Sequence, residues 1–246
     1  MRRKILDDVS PAVSEMIDAF AWAKFSEKGL SIAAYVDNGE PKQSDLVECL
    51  PNVELIKADL LTNLSERRHF LVRRCFQRMF VCLVTGWNAD PRELRLEHKL
   101  DTQPICLDFP LLRLSFSTSG NTAVACASET HDVGIDVERL RDVENADQLA
   151  RRFFSLNEVN MIAALPPDEQ SHHFLLHWTA KEAGLKAIGQ GIVSGLNAFC
   201  LHRNAPNSAY SIIGPSGIDA TWTLQHVDIL PNHIIALIQK NSVDNL

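Results

Sequence analysis

Two stretches of the chain carry side chains that could act together on a phosphate. The first is Val133-Gly134-Ile135-Asp136-Val137-Glu138. Strand alternation puts Asp136 and Glu138 on one face and Val133, Ile135 and Val137 on the other. The second runs from Trp178 to Gly191, W-T-A-K-E-A-G-L-K-A-I-G-Q-G. As a helix it carries Trp178, Glu182 and Lys186 at i, i+4 and i+8, along one edge. Three carboxylates are hard oxygen ligands for a divalent cation, and the neighbouring Lys181 and Lys186 suit phosphate oxygens. The residue types also allow a plainer reading, an acidic strand end in solvent beside a helix-surface ion pair stabilising by about 0.3–0.5 kcal/mol.

These side chains need a scaffold, and the flanking sequence supplies one. A Gly-rich run ends the Trp178 helix after Ile188. Pro166-Pro167 closes the preceding helix, and Asp168 or Ser171 opens this one. That preceding helix, Phe153 to Leu165, has Ser155 with Glu158 three residues on, a capping-box pattern. Upstream, Leu112 to Ala127 reads as a strand, a turn at Ser119-Gly120-Asn121 and a second strand. With His131-Asp132 as the next turn, the acidic stretch becomes the last strand of an antiparallel meander. Short strands follow to the end of the chain: Ala198 to His202, Tyr210 to Ile213, Thr221 to His226 and His233 to Gln239.

A long helix spans Leu64 to Val84, with Ser65 as candidate N-cap. One side is Leu71, Val72, Cys75, Phe76, Met79 and Cys82; the other is Arg67, Arg73, Arg74, Gln77 and Arg78, with Arg68 breaking the pattern. A basic face on an otherwise acidic protein suits a phosphorylated ligand or an acidic partner, or is a solvated surface. An echo links the two long helices. His69 to Arg74 aligns with His173 to Trp178 at a spacing of 104 residues, and the register puts Arg78 opposite Glu182. Duplication is one source of such an echo and chance another.

G-I-D-V-E followed some forty residues later by W-T-A-K-E-A-x-x-K resembles the paired signature of the surfactin-type 4′-phosphopantetheinyl transferases. Phe153 to Glu158 is similar to their F-F-S-x-x-E segment. The resemblance covers roughly Ser65 to Gly191. It implies an α+β fold of two similar lobes related by a pseudo-twofold, here residues 1–129 and 130–246, each a small antiparallel sheet with a long helix. It implies transfer of phosphopantetheine from coenzyme A to a serine of an apo acyl or peptidyl carrier protein, with Mg²⁺ and release of adenosine 3′,5′-bisphosphate. Asp136, Glu138 and Glu182 are then the metal ligands, with Glu182 and Lys186 catalytic. Arg67, Arg68, Arg74, Ser117, Thr118, Lys181 and Lys186 are the expected coenzyme contacts. Two positions depart from the family pattern. Thr118 stands where members carry a histidine, and Thr102-Gln103-Pro104 stands for Gly-Lys-Pro. Those departures keep open a relative that binds carrier or coenzyme but turns over poorly; another metal-dependent phosphotransferase is the remaining alternative.

The bulk numbers agree with such an enzyme. At 246 residues and 46% hydrophobic, the chain can bury a sizeable core. Its net charge of −7 excludes a general nucleic-acid binder, which needs a basic footprint. No apolar run reaches membrane-span length. The six cysteines contain no C-x-x-C, which leads us to expect reduced thiols in a cytoplasmic protein, and two lobes enclosing the coenzyme within one chain imply a monomer. A helix is expected over Pro11 to Phe25 and a strand over Ser31 to Val36, and residues 1–60 receive no chemistry. His173 and His177 at i, i+4 lack a third ligand of matching spacing, so they are not read as a zinc pair.

Overall fold

The computed structural model describes residues 23–27, 29–39, 41–98, 103–190, 195–202, 210–215 and 220–242. Two antiparallel sheets, each backed by one long helix, make up the fold. The first lobe contains β1 (Ala23–Glu27), β2 (Leu30–Val36), α1 (Gln43–Glu48), α2 (Asn52–Asp59) and α3 (Leu64–Thr85). It continues through the short pair β3 (Leu96–Glu97) and β4 (Ile105–Cys106) to β5 (Arg113–Ser119) and β6 (Thr122–Ser128). Its sheet runs in the order β1-β2-β6-β5. The second lobe contains β7 (Asp132–Arg139), α4 (Ala146–Phe153), α5 (Leu156–Ala163) and α6 (Pro167–Ala187). After these come β8 (Cys200–His202), β9 (Ser211–Ile213), β10 (Ala220–His226) and β11 (His233–Ser242). Its sheet runs β10-β11-β7, and β8 pairs with β9. Among the described residues no helix is long and apolar enough to cross a membrane.

The helix termini follow local chemistry. The Asn63 side chain accepts from the amides of Ser65 and Glu66, at 2.9 and 3.2 Å, so Asn63 rather than Ser65 caps α3. Gly86 closes that helix at φ 69°, the left-handed conformation that glycine adopts without a Cβ penalty. Ser155 and Glu158 form the capping box of α5 as expected. The Trp178 helix opens at Pro167, before either Asp168 or Ser171, because proline fits the first helical turn. The expected N-terminal helix does not reach Phe25: Ala23–Glu27 pairs with β2 as a strand, and residues 11–22 lie outside the described residues.

Three packed layers hold the lobes in register. Leu71, Cys75, Phe76, Met79 and Phe80 of α3 are buried against Tyr35, Leu114 and Ala125 of the first sheet. Ala180, Ala183 and Ala187 of α6 are buried with Phe199, Leu201, Ala236 and Ile238 in the second. Between the sheets, Ile32, Ala34, Val124 and Cys126 meet Val133, Ile135, Val137, Ile235 and Leu237. Fully burying each such aliphatic side chain contributes about 1.5–3 kcal/mol, so the sheets themselves weld the lobes together.

The acidic strand is placed differently from the expected meander. β7 makes its ladder with β11 in the second sheet, and meets β5 through serine hydroxyls instead. Ser115 Oγ accepts from the Ile135 amide at 3.1 Å, and Ser119 Oγ from the Arg139 amide at 3.2 Å. Gly134 lets β7 approach α6 backbone to backbone: a Cβ there would lie 1.9 Å from the Ala183 carbonyl oxygen. The cysteines also differ from expectation. Cys49 and Cys75 are joined as a disulfide between the end of α1 and α3, their Cα atoms 6.2 Å apart. Cys82, Cys106, Cys126 and Cys200 are free.

Candidate active site

A cleft of about 650 Å³ lies where β5, β7, α3 and the end of α6 converge. Its acidic end is built by β7 and α6. Alternation turns Asp136 and Glu138 toward β5, where Ser117 Oγ donates to Asp136 Oδ1 at 2.6 Å and Ser119 Oγ to Glu138 Oε2 at 3.2 Å. Glu182 and Lys186, one turn apart on α6, line the same cleft. Lys186 Nζ donates to Asp136 Oδ1 at 2.7 Å. Arg141 binds Glu138 at 2.7 Å.

Burial sets the electrostatics of this end. It raises the Asp136 carboxyl above its ordinary range, against the pull of Lys186 and Ser117, and Glu138 adds to the rise. Glu182 is pushed up to about 7, first by burial, then by Asp136 and, less, Glu138, with Lys186 opposing. The three carboxylates therefore feel each other's charge. Hard oxygen donors crowded together are the donor type that Mg²⁺ takes, so the residues fit such an ion in chemistry and charge. In the present arrangement Asp136 is paired with Lys186 and Glu138 with Arg141. Among the described residues no group of three or more His, Cys, Asp or Glu side chains is gathered as a metal site.

The opposite end is basic, and its residues differ from those nominated by sequence. Arg67 is held by Asp59 at 2.5 Å and Arg68 by Asp37 at 2.7 Å, and neither lines the cleft. Arg74 does line it, but its guanidinium is bound to buried Glu54 at 2.5 Å. Arg78 shares the same carboxylate and donates to the carbonyls of Pro91 and Leu94. Arg73 and Lys57 line the cleft with no ion pair among the described residues. Arg73 lies over the Phe70 ring, 5.7 Å from its centroid. His98 faces Phe116 with centroids 6.1 Å apart. Desolvation, then Arg74, Arg73, Arg78 and Lys57, hold its imidazole down at about 3.

Ser117 and exposed Thr118 both line the cleft. Lys181 does not. Its ammonium is buried on the back of α6, 2.9 Å from Glu158, and donates to the carbonyls of Leu196 and Phe199. Helical spacing explains this: Lys181 is one residue, about 100°, from Glu182 and so faces the core. Sequence reasoning missed Lys57 and His98 as site residues, and it placed Arg73 on the basic face without choosing it. Counting the acids able to neutralise each arginine would have been the signal, but Glu54 and Asp59 come from the stretch left without chemistry.

A model of the 4′-phosphopantetheinyl transferase superfamily matches residues 132–238, which include Asp136, Glu138, Glu182 and Lys186. The 4′-phosphopantetheinyl transferase HetI of a Nostoc species is 32% identical over 160 residues, 64% of this chain and 67% of that protein. The chain belongs to this superfamily. A putative 4′-phosphopantetheinyl transferase of a Synechocystis species is 27% identical over 183 residues, 74% of this chain and 73% of its own. The transferase Sfp of Bacillus subtilis is 29% identical over 113 residues, 46% of this chain and 49% of Sfp. In the present transferase the acidic end lies inside the stretch matched by the family, and Lys57, Arg73 and His98 lie outside it.

Proposed function

We propose that this transferase moves the 4′-phosphopantetheine arm of coenzyme A onto a serine hydroxyl of an apo acyl or peptidyl carrier protein, releasing adenosine 3′,5′-bisphosphate. The observation that supports this most is the division of one cleft into an acidic and a basic end. Residues 130–246 supply the first end and residues 1–129 the second, and the enzyme works as a cytoplasmic monomer. Arg73 and Lys57 hold the phosphorylated nucleotide, with Thr118 and Ser117 donating hydrogen bonds to its oxygens. Arg67, Arg68 and Arg74 act through their ion pairs on the scaffold, and Lys181 acts from the core of α6.

The serine oxygen attacks the β-phosphorus of coenzyme A, forming a new P–O bond. The bond to the bridging oxygen breaks, and that oxygen leaves with the adenosine bisphosphate. Glu182 accepts the serine proton as the general base. Lys186 neutralises charge developing on the phosphate oxygens. Asp136, Glu138 and Glu182 would hold Mg²⁺, whose chemistry there is to draw charge from the phosphates. Ser117 and Ser119 keep the first two carboxylates aimed into the cleft.

The test incubates the protein with coenzyme A, Mg²⁺ and an apo carrier protein and weighs the carrier by intact mass spectrometry. A gain of one phosphopantetheine, lost when the serine is replaced or Mg²⁺ is chelated, is the expected result. Coenzyme hydrolysis without carrier gain points to another phosphotransferase, and binding without either points to a non-catalytic relative.

A further inference from the structure

Gln103 stands where family members carry the lysine of Gly-Lys-Pro, and the structure gives it a different kind of contact. Its side-chain amide donates to the Lys186 carbonyl at 2.7 Å and to the Val133 carbonyl at 3.1 Å. The first acceptor is in the last turn of α6, where the Lys186 carbonyl also accepts from the Gly189 amide at 3.0 Å and uses its second lone pair for Gln103. The second is at the start of β7, three residues before Asp136. One side chain from the first lobe therefore clamps both elements that carry the acidic end. Lys186 joins them on the other side through its ammonium on Asp136, at 2.7 Å. Gln103 and Pro104 line the cleft together with Gly189 and Gln190, and these four residues also wall a second cavity of about 480 Å³.

Resting on the proposed transfer reaction, we infer that Gln103 is a positioning residue: it fixes the Lys186 backbone against β7, so that the Lys186 ammonium and the Asp136 carboxylate stay in register during phosphoryl transfer. Two neutral N–H donors are what the geometry requires, because both acceptors are backbone carbonyls. A carboxylate of the same shape has no proton to give and meets two oxygens. An ammonium keeps donors, so lysine at this position satisfies the same two carbonyls.

The experiment compares Gln103→Glu and Gln103→Lys with the wild-type enzyme. It reads kcat, KM for coenzyme A, the inhibition constant of adenosine 3′,5′-bisphosphate and amide hydrogen exchange over residues 186–190. Loss of two hydrogen bonds should lower kcat of Gln103→Glu by about tenfold or more. The bisphosphate constant should stay within about threefold, since no nucleotide contact is removed. Exchange over residues 186–190 should quicken, and Gln103→Lys should recover both kcat and protection. Unchanged kcat and exchange in Gln103→Glu would overturn the inference. So would a Gln103→Lys variant as slow as Gln103→Glu, or a bisphosphate constant weakened in step with kcat, which would mark Gln103 as a ligand contact. Carrier modification by the wild type tests the transfer reaction separately, and the exchange data test the clamp even without turnover.

Discussion

At the scale of single residues, the site divides into charges that are free and charges already spent. Arg73 and Lys57 face the cleft without ion pairs among the described residues, whereas Arg74 is bound to Glu54 at 2.5 Å. Arg73→Ala should therefore raise KM for coenzyme A by about tenfold or more, the loss of a charge-assisted contact of roughly 1.5–3 kcal/mol, with the melting temperature nearly unchanged. Arg74→Ala should do the reverse and lower thermal stability more than affinity. Steady-state kinetics beside thermal melts would separate them, and equal KM effects would refute the assignment. The acidic residues were legible in sequence because alternation and the helical turn fix their faces. The choice among arginines was not, since it depends on acids brought in from α2 and from the loop after β2. Lys181 shows the same limit: its type suited phosphate, but one step around the helix aims it at Glu158.

At the scale of elements, buried polar pairs decide how the helices dock. Glu54, on α2, is 3% exposed and serves both Arg74 and Arg78 of α3. Glu54→Gln leaves two guanidinium groups without a counter-charge and should cost about 3–5 kcal/mol, read as a lower urea midpoint; a shift under about 1 kcal/mol would show that the pair contributes little. On α6, His177 is fully buried, its Nδ1 on the His173 carbonyl at 2.8 Å and its Nε2 unpartnered among the described residues. Burial holds it down at about 4. The unfolded chain takes up its proton near pH 6.5 and the folded chain only near pH 4, so stability is lost as pH falls through that window, by about 3 kcal/mol. His177→Phe should lose that part of the acid slope; an unaltered slope from pH 6.5 to 4 would contradict the burial account. The long helices α3 and α6 and the capping box of α5 were legible because they rest on local chemistry, whereas the short helices α1, α2 and α4 gave no such signal. The partner of β7 was not: its apolar face suits either sheet, and Gly134 against α6 settles the matter only in three dimensions.

At the scale of the molecule, two sheets share an apolar layer, and the cleft opens where their facing strands are joined by serine hydroxyls. The paired motifs made the two-lobed architecture readable. The Cys49–Cys75 link and the Gln103 clamp were not, because each joins segments whose proximity no spacing reveals. The central claim is that the Asp136, Glu138 and Glu182 end performs phosphoryl transfer, and Asp136 tests it best. It is buried, touches both Ser117 and Lys186, and among the described residues has no hydrogen bond or ion pair with Lys57, Arg73 or His98. The most direct measurement is the rate at which Asp136→Ala converts an apo carrier to the holo form at saturating coenzyme A and Mg²⁺, followed by intact mass. The account predicts a fall of at least about 100-fold, several kcal/mol of lost charge stabilisation, with the fold retained by circular dichroism. A folded Asp136→Ala protein that loads the carrier at close to the wild-type rate would contradict it.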